Sequence, residues 1–510
     1  MRQGAEILSS VRSNFAANLT GQAWVFLTQL LVVPLYIKLL GIEAYGLMGF
    51  FFALQMTVQV LDLGLGATLT REIAKRRALT GGLADARSLV KTVCIAYLAL
   101  STLIGLAIVL AAPLFASHVI HAEKLDRHAV ESAVMLMGAL IPVMWGTNLF
   151  TGTLMGMERQ VQVNVLRIVM VTATSLGAVL VLWLVSADIR TFFLWYLFAG
   201  LLNWVVAGWM ALRVLPAGPS LFQARLLREL WKFAAGMSAI SVGGIVLMQL
   251  DKWLLINMLS LQSYGHYILA LALANALYFV ITPLFSSVFP RMTLLHAQGD
   301  HYGQASLYHS SAQYISALVF PLATVICLFS EPILRLWIQD AEIARNAAPI
   351  ASILVWGTAL NGLMNVPYAL QLATGRTSLA VRLVVLKLIL FVPVIVFLTL
   401  QFGATGAAAA WLALNAIYVL VGIPLTHAHL LKGHAGAWIM KDVLPSAGAA
   451  LAVGGLALVL RPGGDDAIVM IGFLAVTTMV ALAAAGLAGR APRGWVTLQA
   501  VKFGLLRNGP

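Results

Sequence analysis

Apolar runs of about 20–28 residues recur along the chain and are separated by short polar segments. A helix of roughly 20 apolar residues crosses the hydrocarbon core of a membrane, so each run is long enough for one transmembrane helix. The pattern therefore predicts an all-α polytopic membrane protein with fourteen transmembrane helices, numbered as spans 1 to 14 in chain order. The predicted spans are 14–40, 44–70, 90–114, 129–155, 161–186, 190–213, 233–259, 264–290, 307–329, 347–373, 378–400, 404–431, 441–461 and 466–489.

The composition agrees with this class of protein. Of the 510 residues, 61% are hydrophobic and only 10% are charged, whereas a soluble domain has about 25% charged residues. The two cysteines, Cys94 and Cys327, lie in separate apolar runs and suggest neither a disulfide framework nor a metal motif. The first apolar run is too long for the core of a cleaved signal peptide, so we interpret it as span 1.

Lysine and arginine are concentrated in every second loop. Arg71, Lys75 and Arg77 follow span 2, and the C-terminal tail is also basic, whereas Glu123 and Glu331 lie in loops of the other set. The positive-inside rule then places the basic loops and both termini in the cytoplasm. The net charge of +13 is therefore a signal of topology, and it gives no reason to expect a nucleic-acid partner.

Motifs of several enzyme classes are absent from the sequence. The chain contains no phosphate-binding loop of the G-x-x-x-x-G-K-[ST] type and no H-E-x-x-H zinc motif. His427 and His429 are two residues apart and would not share a helix face. No predicted loop exceeds about 25 residues, whereas an active site facing outward would favour a long outer loop. These features weigh against a metal site, an ATPase domain and a membrane-embedded glycosyltransferase or polymerase.

A sequence repeat relates the two halves of the chain. Residues 39–46 read LLGIEAYG and residues 258–265 read MLSLQSYG, so that their Tyr-Gly pairs are 219 residues apart. Gly156 and Gly375, each soon followed by an arginine, are also 219 residues apart. Two markers at one offset predict two related halves of six spans each.

Because six is even, the two halves would have the same orientation, as in transporters whose substrate site lies between parallel repeats. We therefore expect two six-helix lobes, related by a pseudo-two-fold axis, around a central cavity, with two extra C-terminal helices. The predicted domains are an N-terminal lobe (1–213), a cytoplasmic linker (214–232), a C-terminal lobe (233–431), and spans 13 and 14 with a basic cytoplasmic tail (432–510).

The first two spans of each half carry polar residues at helical spacing. These rows are Asn14, Asn18, Gln22 and Gln29 in span 1; Gln55, Gln59, Asp62 and Gly66 in span 2; Ser238, Ser241, Gln249 and Lys252, with Asp251 beside them, in span 7; and Asn275, Tyr278, Thr282 and Ser286 in span 8. Such rows can form hydrogen bonds that hold helices together, or they can line a water-filled cavity. Their presence in four equivalent helices favours the cavity.

Asp62 is the most unusual member of these rows. A carboxylate near the middle of a membrane helix costs roughly 2.5–3.5 kcal/mol on insertion scales. Asp62 could pair with an arginine or bind backbone groups freed near Gly64 and Gly66. It could also bind a proton or another cation. Since the chain has no ATPase motif, transport would draw on a proton or sodium gradient or on the substrate gradient.

Basic residues also lie at or inside the predicted spans. Arg71 and Arg291 end spans 2 and 8, and Arg167 lies two turns into span 5. Lys252 and Lys387 lie within spans, where a lysine needs water or an anionic partner. These five residues would suit an anionic ligand. Alternatively, Arg71 and Arg291 anchor helix ends at the interface, and Lys252 is neutralised by the neighbouring Asp251.

Two stretches resemble a known family. The run NFAANLTGQAWVFLTQLLVVPLYIKLLGIEAYG, followed by VLDLGLGATLTREIAKR, resembles the start of an oligosaccharide flippase of the Wzx-like polysaccharide-biosynthesis family. This family belongs to the multidrug/oligosaccharidyl-lipid/polysaccharide (MOP) superfamily. The run VLMQLDKWLLINMLSLQSYGHYILALALANAL is similar to the family's seventh and eighth helices. The resemblance covers roughly residues 12–430.

The resemblance implies fourteen helices and two lobes around a cavity with alternating access. The implied substrate is a polyprenyl-diphosphate-linked oligosaccharide, such as a repeat unit of O-antigen, capsule or exopolysaccharide, which crosses the bacterial inner membrane. No catalytic residue, metal or cofactor is expected; the expected partners are the substrate, membrane lipids and a glycan polymerase or export machinery. The candidate cavity residues are Asn18, Gln22, Gln55, Gln59, Asp62, Arg71, Arg167, Gln249, Asp251, Lys252, Asn275, Arg291 and Lys387.

Two related functions stay open as alternatives. A lipid II-type flippase would use the same mechanism, but it would carry arginines at deep cavity positions where this sequence has glutamine and serine. A multidrug/ion antiporter of the same superfamily would need a more acidic cavity for cationic substrates. Here the intramembrane acidic residues are accompanied by lysines, which favours an anionic head group.

Overall fold

The computed structural model describes residues 2–60, 65–77, 83–218, 221–226, 228, 248–464 and 466–494. Side chains are described from residue 20 onward, except at positions 60, 65, 67, 377, 378 and 380. Within these ranges the protein contains sixteen α-helices with defined bounds, a further helical segment at 248–258, and no β-strand. The chain divides into two compact units, Met1–Gly265 and His266–Pro510.

The first unit contains long apolar helices joined by short loops. They are α1 (Arg2–Val60), α2 (Leu65–Arg77), α3 (Ala86–Leu114), α4 (Arg127–Gly156), α5 (Gln160–Leu184) and α6 (Ile189–Val214). A π-helical turn, Phe115–Val119, extends α3. Residues 248–258 are helical, and α7 (Leu261–Ala274) begins three residues later.

The second unit begins inside α7. A 3₁₀ turn, Asn275–Leu277, joins α7 to the next helix, and a π-helical turn, Trp438–Val443, joins two helices near the C-terminus. The helices of this unit are α8 (Tyr278–Ala297), α9 (His301–Leu328), α10 (Ser330–Ile338), α11 (Ala341–Leu363), α12 (Asn365–Ala373), α13 (Thr377–Leu430), α14 (Ala435–Ala437), α15 (Leu444–Val459) and α16 (Ala467–Ala488).

Eleven helical stretches of the described residues are long and apolar enough to cross a membrane. Two of them bend at glycines with positive φ, Gly41 in α1 (φ 83°) and Gly403 in α13 (φ 58°), a conformation that favours glycine. The described part therefore contains thirteen membrane-length segments, which match thirteen of the predicted spans. The remaining one, span 7, is described only from residue 248, so the total of fourteen stays a prediction.

Small residues allow neighbouring helices to approach closely. A Cβ atom on Gly105 of α3 would lie 2.5 Å from the carbonyl oxygen of Gly138 in α4. In the second unit, a Cβ atom on Gly454 of α15 would lie 2.4 Å from Thr324 of α9. Such contacts are typical of membrane helices, where packing rather than exclusion from water drives association.

The described end of span 7 packs within the first unit. The Trp253 ring lies 5.3 Å from the Phe50 ring, and its indole nitrogen donates a hydrogen bond to Thr57 Oγ1 at 2.8 Å. The sequence had assigned this span to a C-terminal lobe. The lobe boundaries 1–213, 214–232, 233–431 and 432–510 stay predictions.

Candidate functional site

Two aromatic residues of α1 outside the predicted polar row form hydrogen bonds to α5 within the first unit. The Trp24 indole donates to Thr172 Oγ1 at 2.8 Å, and the Tyr36 hydroxyl donates to the Ser175 carbonyl at 2.9 Å. Both acceptors belong to α5. Gln22 and Gln29 are exposed on the unit and lie apart from these bonds.

The second half of α1 carries Gln55 and Gln59 of the predicted row, each two residues from Thr57. Gln55 is half-buried and Gln59 is exposed. Thr57 lies between them in sequence and accepts the hydrogen bond from Trp253, while donating to the Ala53 carbonyl at 2.8 Å. Thr57 and Trp253 were not predicted from the sequence, because neither residue type is unusual in an apolar helix.

Asp251 and Lys252 neutralise each other. The Lys252 ammonium lies 2.9 Å from Asp251 Oδ1 and also donates to the Met248 carbonyl at 2.5 Å. Asp251 is only 4% exposed, so the pair stabilises a carboxylate that would otherwise be buried without compensation. This geometry favours the self-compensating alternative for Lys252. Gln249 is half-buried in the same helical segment.

Of the four remaining candidate residues of the first unit, two have no described side chain and two lie on α2 and α5. Asp62 lies outside the described residues, and the side chain of Asn18 is not among those described. Arg71 is exposed on α2. Arg167 is half-buried on α5 and forms no ion pair within the described part of the chain.

The polar row of the second unit is exposed on α8 and the turn before it. Asn275, Thr282 and Ser286 are exposed, and Tyr278 is half-buried. Arg291 is exposed too, but it follows Thr282 by nine residues, which is half a helical turn away from the row. The spacing thus separates Arg291 from the row and favours its alternative role at the helix end.

Lys387 is the basic residue whose surroundings best suit an anion. It lies in the first half of α13, and its ammonium is 3.9 Å from the centroid of the Tyr418 ring in the second half. Such a cation–π contact stabilises an ammonium group without neutralising its charge. Within the described residues, no carboxylate forms an ion pair with Lys387.

A chain of hydrogen bonds leads from α8 toward Lys387. The Tyr278 hydroxyl donates to Asn361 Oδ1 at 2.9 Å, and Asn361 Nδ2 donates to Asn415 Oδ1 at 2.9 Å. Asn415 is fully buried one turn before Tyr418. Tyr278 belongs to the predicted polar row, whereas Asn361, Asn415 and Tyr418 were not predicted, although two asparagines inside spans 10 and 12 were a visible signal.

Aromatic rings adjoin this network. Phe285 lies on α8, two turns after Tyr278. The Tyr368 ring is nearly parallel to that of Phe285, with 6.0 Å between centroids, and Phe285 is nearly parallel to Phe289 at 5.8 Å. The second unit therefore combines a cation in a cation–π contact, polar amides and stacked rings within apolar helices.

The fold defines the class of the protein. The structure resembles the lipid II flippase MurJ in its inward closed conformation, with a TM-score of 0.71, 11% identity, and coverage of 92% of this chain and 97% of MurJ. It also resembles an inward-facing multidrug resistance MATE transporter of the MOP superfamily, with a TM-score of 0.65, 15% identity, and coverage of 81% and 95%. The chain thus has the fold shared by MurJ and MATE transporters.

The sequence identifies the family within that class. The profile of the family described as "Polysaccharide biosynthesis protein" matches residues 11–296, and this chain belongs to that family. A Shigella flexneri protein provisionally named as an O-antigen transporter is 20% identical over 406 residues, which cover 79% of this chain and 94% of that protein.

Proposed function

We propose that this protein is a flippase that moves a polyprenyl-diphosphate-linked oligosaccharide across the bacterial inner membrane by alternating access. Membership of a polysaccharide-biosynthesis family and similarity to a protein named for O-antigen transport support this function. The substrate would be a repeat unit of O-antigen, capsule or exopolysaccharide. The protein acts as a transporter and performs no chemical reaction on the glycan.

The observation that carries the proposal is the environment of Lys387. A diphosphate cannot cross hydrocarbon alone, because moving an isolated charge there costs on the order of 20 kcal/mol by the idealised Born figure. An ammonium group that forms no ion pair with any described residue and is held over the Tyr418 ring offers the required countercharge. The polyprenyl tail can remain in the bilayer while the head group passes along polar side chains.

The other candidate residues would differ in their roles. Arg167 is a second countercharge, and Gln22, Gln55, Gln59 and Asn275 offer hydrogen bonds to sugar hydroxyls. Asn18, Arg71, Gln249 and Arg291 stay candidates on sequence position, while Asp251 and Lys252 form a structural pair. Both termini would lie in the cytoplasm, and a glycan polymerase or export machinery would receive the product.

Asp62 would couple transport to a proton or sodium gradient. One charge that moves through the membrane potential supplies about 2.3 kcal/mol per 100 mV. The similar MATE structure is named as a multidrug resistance transporter of the MOP superfamily. If Asp62→Asn transports the glycan normally at every pH, the coupling role is wrong.

The test is deletion of the gene followed by mass spectrometry of the polyprenyl-diphosphate-linked glycans. The deletion strain should accumulate one lipid-linked oligosaccharide and lose the corresponding surface polymer. Wild type and Lys387→Arg should restore the polymer, and Lys387→Ala should not. Arg382→Ala is the matched control, because Arg382 is an exposed basic residue five positions earlier on the same helix.

The same experiment separates the alternatives. Accumulation of a peptidoglycan precursor would indicate a lipid II flippase, the function of the structurally similar MurJ. Unchanged lipid-linked pools together with an unchanged surface polymer would contradict the flippase proposal and direct attention to efflux of cationic compounds.

A further inference from the structure

We propose that one face of α8, together with Tyr368 of α12, is a sugar-binding surface for the glycan next to its diphosphate. Its rings are Phe285, Phe289 and Tyr368, and its polar groups are the hydroxyls of Thr282 and Ser286. The inference rests on the proposed function, since it assigns the glycan of that substrate to a particular set of side chains.

The rings form a continuous aromatic surface. Phe285 and Tyr368 differ by 18° in ring orientation, and Phe285 and Phe289 differ by 6°. Tyr368 is 36% exposed, and both phenylalanines are partly exposed. Pyranose rings present faces of C–H groups that pack on flat aromatic rings, so three nearly parallel rings suit consecutive sugars.

Hydroxyl groups lie on the same face of α8. Thr282 and Ser286 are one turn apart, as are Phe285 and Phe289, and helical spacing puts all four within about 100° of the helix circumference. Thr282 and Ser286 form no hydrogen bond within the described part of the protein. By contrast, the nearby Ser287 and Thr293 hydroxyls donate to carbonyls of their own helix, at 2.8 and 3.0 Å.

The hydroxyls of Thr282 and Ser286 indicate what this face of α8 contacts. In hydrocarbon, a hydroxyl without a partner loses several kcal/mol of hydrogen-bonding free energy, on the order of 2–7 kcal/mol by transfer data. The face therefore needs water or a polar ligand rather than lipid tails. Apolar rings combined with a few polar groups are the composition of small-molecule binding sites.

The position of the surface follows from Lys387. Its ammonium lies over the Tyr418 ring, and Tyr418 follows Asn415 by about one turn of α13. Asn415 is joined through Asn361 to Tyr278, which lies one turn before Thr282 on α8. A substrate with its diphosphate at Lys387 thus has its first sugars beside Thr282 and later ones along the rings of Phe285, Tyr368 and Phe289. This arrangement predicts that the rings act on the glycan and leave binding of the lipid diphosphate unaffected.

The test measures binding of two probes to the purified full-length protein in nanodiscs. The first is polyprenyl diphosphate without sugar, and the second is the polyprenyl-diphosphate oligosaccharide extracted from the deletion strain. Phe285→Leu and Tyr368→Leu should each weaken binding of the second probe by about tenfold and change binding of the first by less than twofold. Tyr368→Phe, which keeps the ring, should bind both probes like wild type.

Two controls make the result specific. Lys387→Ala should weaken binding of both probes equally, and Phe397→Leu, which removes an exposed ring elsewhere on α13, should change neither. Equal losses for both probes in the leucine variants, or wild-type binding of the oligosaccharide by them, would overturn the sugar surface while leaving the flippase function intact. Failure of the wild-type protein to bind either probe would overturn the proposed function and the sugar surface with it.

Discussion

The Cα atom of Gly265 lies 3.1 Å from the position that a Cβ atom on Gly46 would occupy. These two glycines belong to the Tyr-Gly pairs that are 219 residues apart in sequence, so the repeat markers pack directly on each other within the first unit. A Cβ atom on Gly265 would also lie 2.3 Å from the carbonyl oxygen of Ile42. The glycines of the two repeat markers thus allow the backbones of α1 and α7 to come into contact.

We expect Gly265→Ala to destabilise the protein by about 1–3 kcal/mol, because the new methyl group overlaps backbone that cannot move aside. Thermal melting in detergent measures the effect. Gly472→Ala on α16 is the control, since no atom lies within 4 Å of its Cβ position. A melting temperature of Gly265→Ala equal to that of wild type would contradict the close contact.

Glu43 organises the loop after α3. Its buried carboxylate accepts hydrogen bonds from the backbone N–H groups of Glu123, Lys124 and Leu125, at 2.9–3.1 Å. Glu43→Ala leaves these donors without their acceptor and should destabilise the protein by about 2–4 kcal/mol. The melting temperature should fall strongly for Glu43→Ala and hardly at all for Glu331→Ala, whose carboxylate is exposed.

A buried polar network holds the C-terminal helices of the second unit. Asp442 accepts hydrogen bonds from His309 and, at 2.8 Å, from Gln313 Nε2, and the other nitrogen of His309 lies 2.8 Å from His434 Nδ1. Asp442 is 2% exposed. The substitution His309→Ala should therefore leave the Asp442 carboxylate poorly compensated and lower the free energy of unfolding by about 3 kcal/mol.

A double-mutant cycle tests that network. His309→Ala combined with Asp442→Ala should destabilise the protein by less than the sum of the single changes, because the partners interact directly. His301→Ala, at an exposed position on the same helix, should have little effect. Additive effects of the two substitutions would contradict a direct coupling.

The Asp251–Lys252 pair should be dispensable for substrate binding. Lys252→Met alone leaves a buried carboxylate and should lower protein yield, whereas Lys252→Met with Asp251→Asn removes both charges and should recover it. The double variant should also restore the surface polymer in the deletion strain. Normal yield with loss of transport in the double variant would instead make Lys252 a substrate ligand.

The sequence predicted the helices well because hydrophobic run length follows directly from membrane thickness. It separated spans 1 and 2 at residues 41–43, and the backbone of Gly41 (φ 83°, ψ 171°) is indeed non-helical and divides α1 into two helical segments. The short helix α10 was not predicted, since nine residues fall well below the length of a span. Local periodicity thus predicts elements but not the geometry of the turns between them.

The candidate site was only partly predictable. Lys387 stands out in the sequence because a lysine is costly inside an apolar run. The stacking of Phe285 on Tyr368 and the Asn361–Asn415 hydrogen bond join helices far apart in sequence, and a single sequence carries no signal of such pairings. The neutralisation of Lys252 by its neighbour also required the side-chain geometry.

The most direct measurement is translocation in proteoliposomes. Vesicles that contain the purified protein and the extracted polyprenyl-diphosphate oligosaccharide are mixed with a glycosidase that cannot cross the membrane, and cleavage of the inner pool reports flipping. The account predicts that the wild-type protein exposes the inner pool and that Lys387→Ala does so at least about tenfold more slowly, a barrier increase of roughly 1.4 kcal/mol. Cleavage no faster with the wild-type protein than in protein-free vesicles would contradict it.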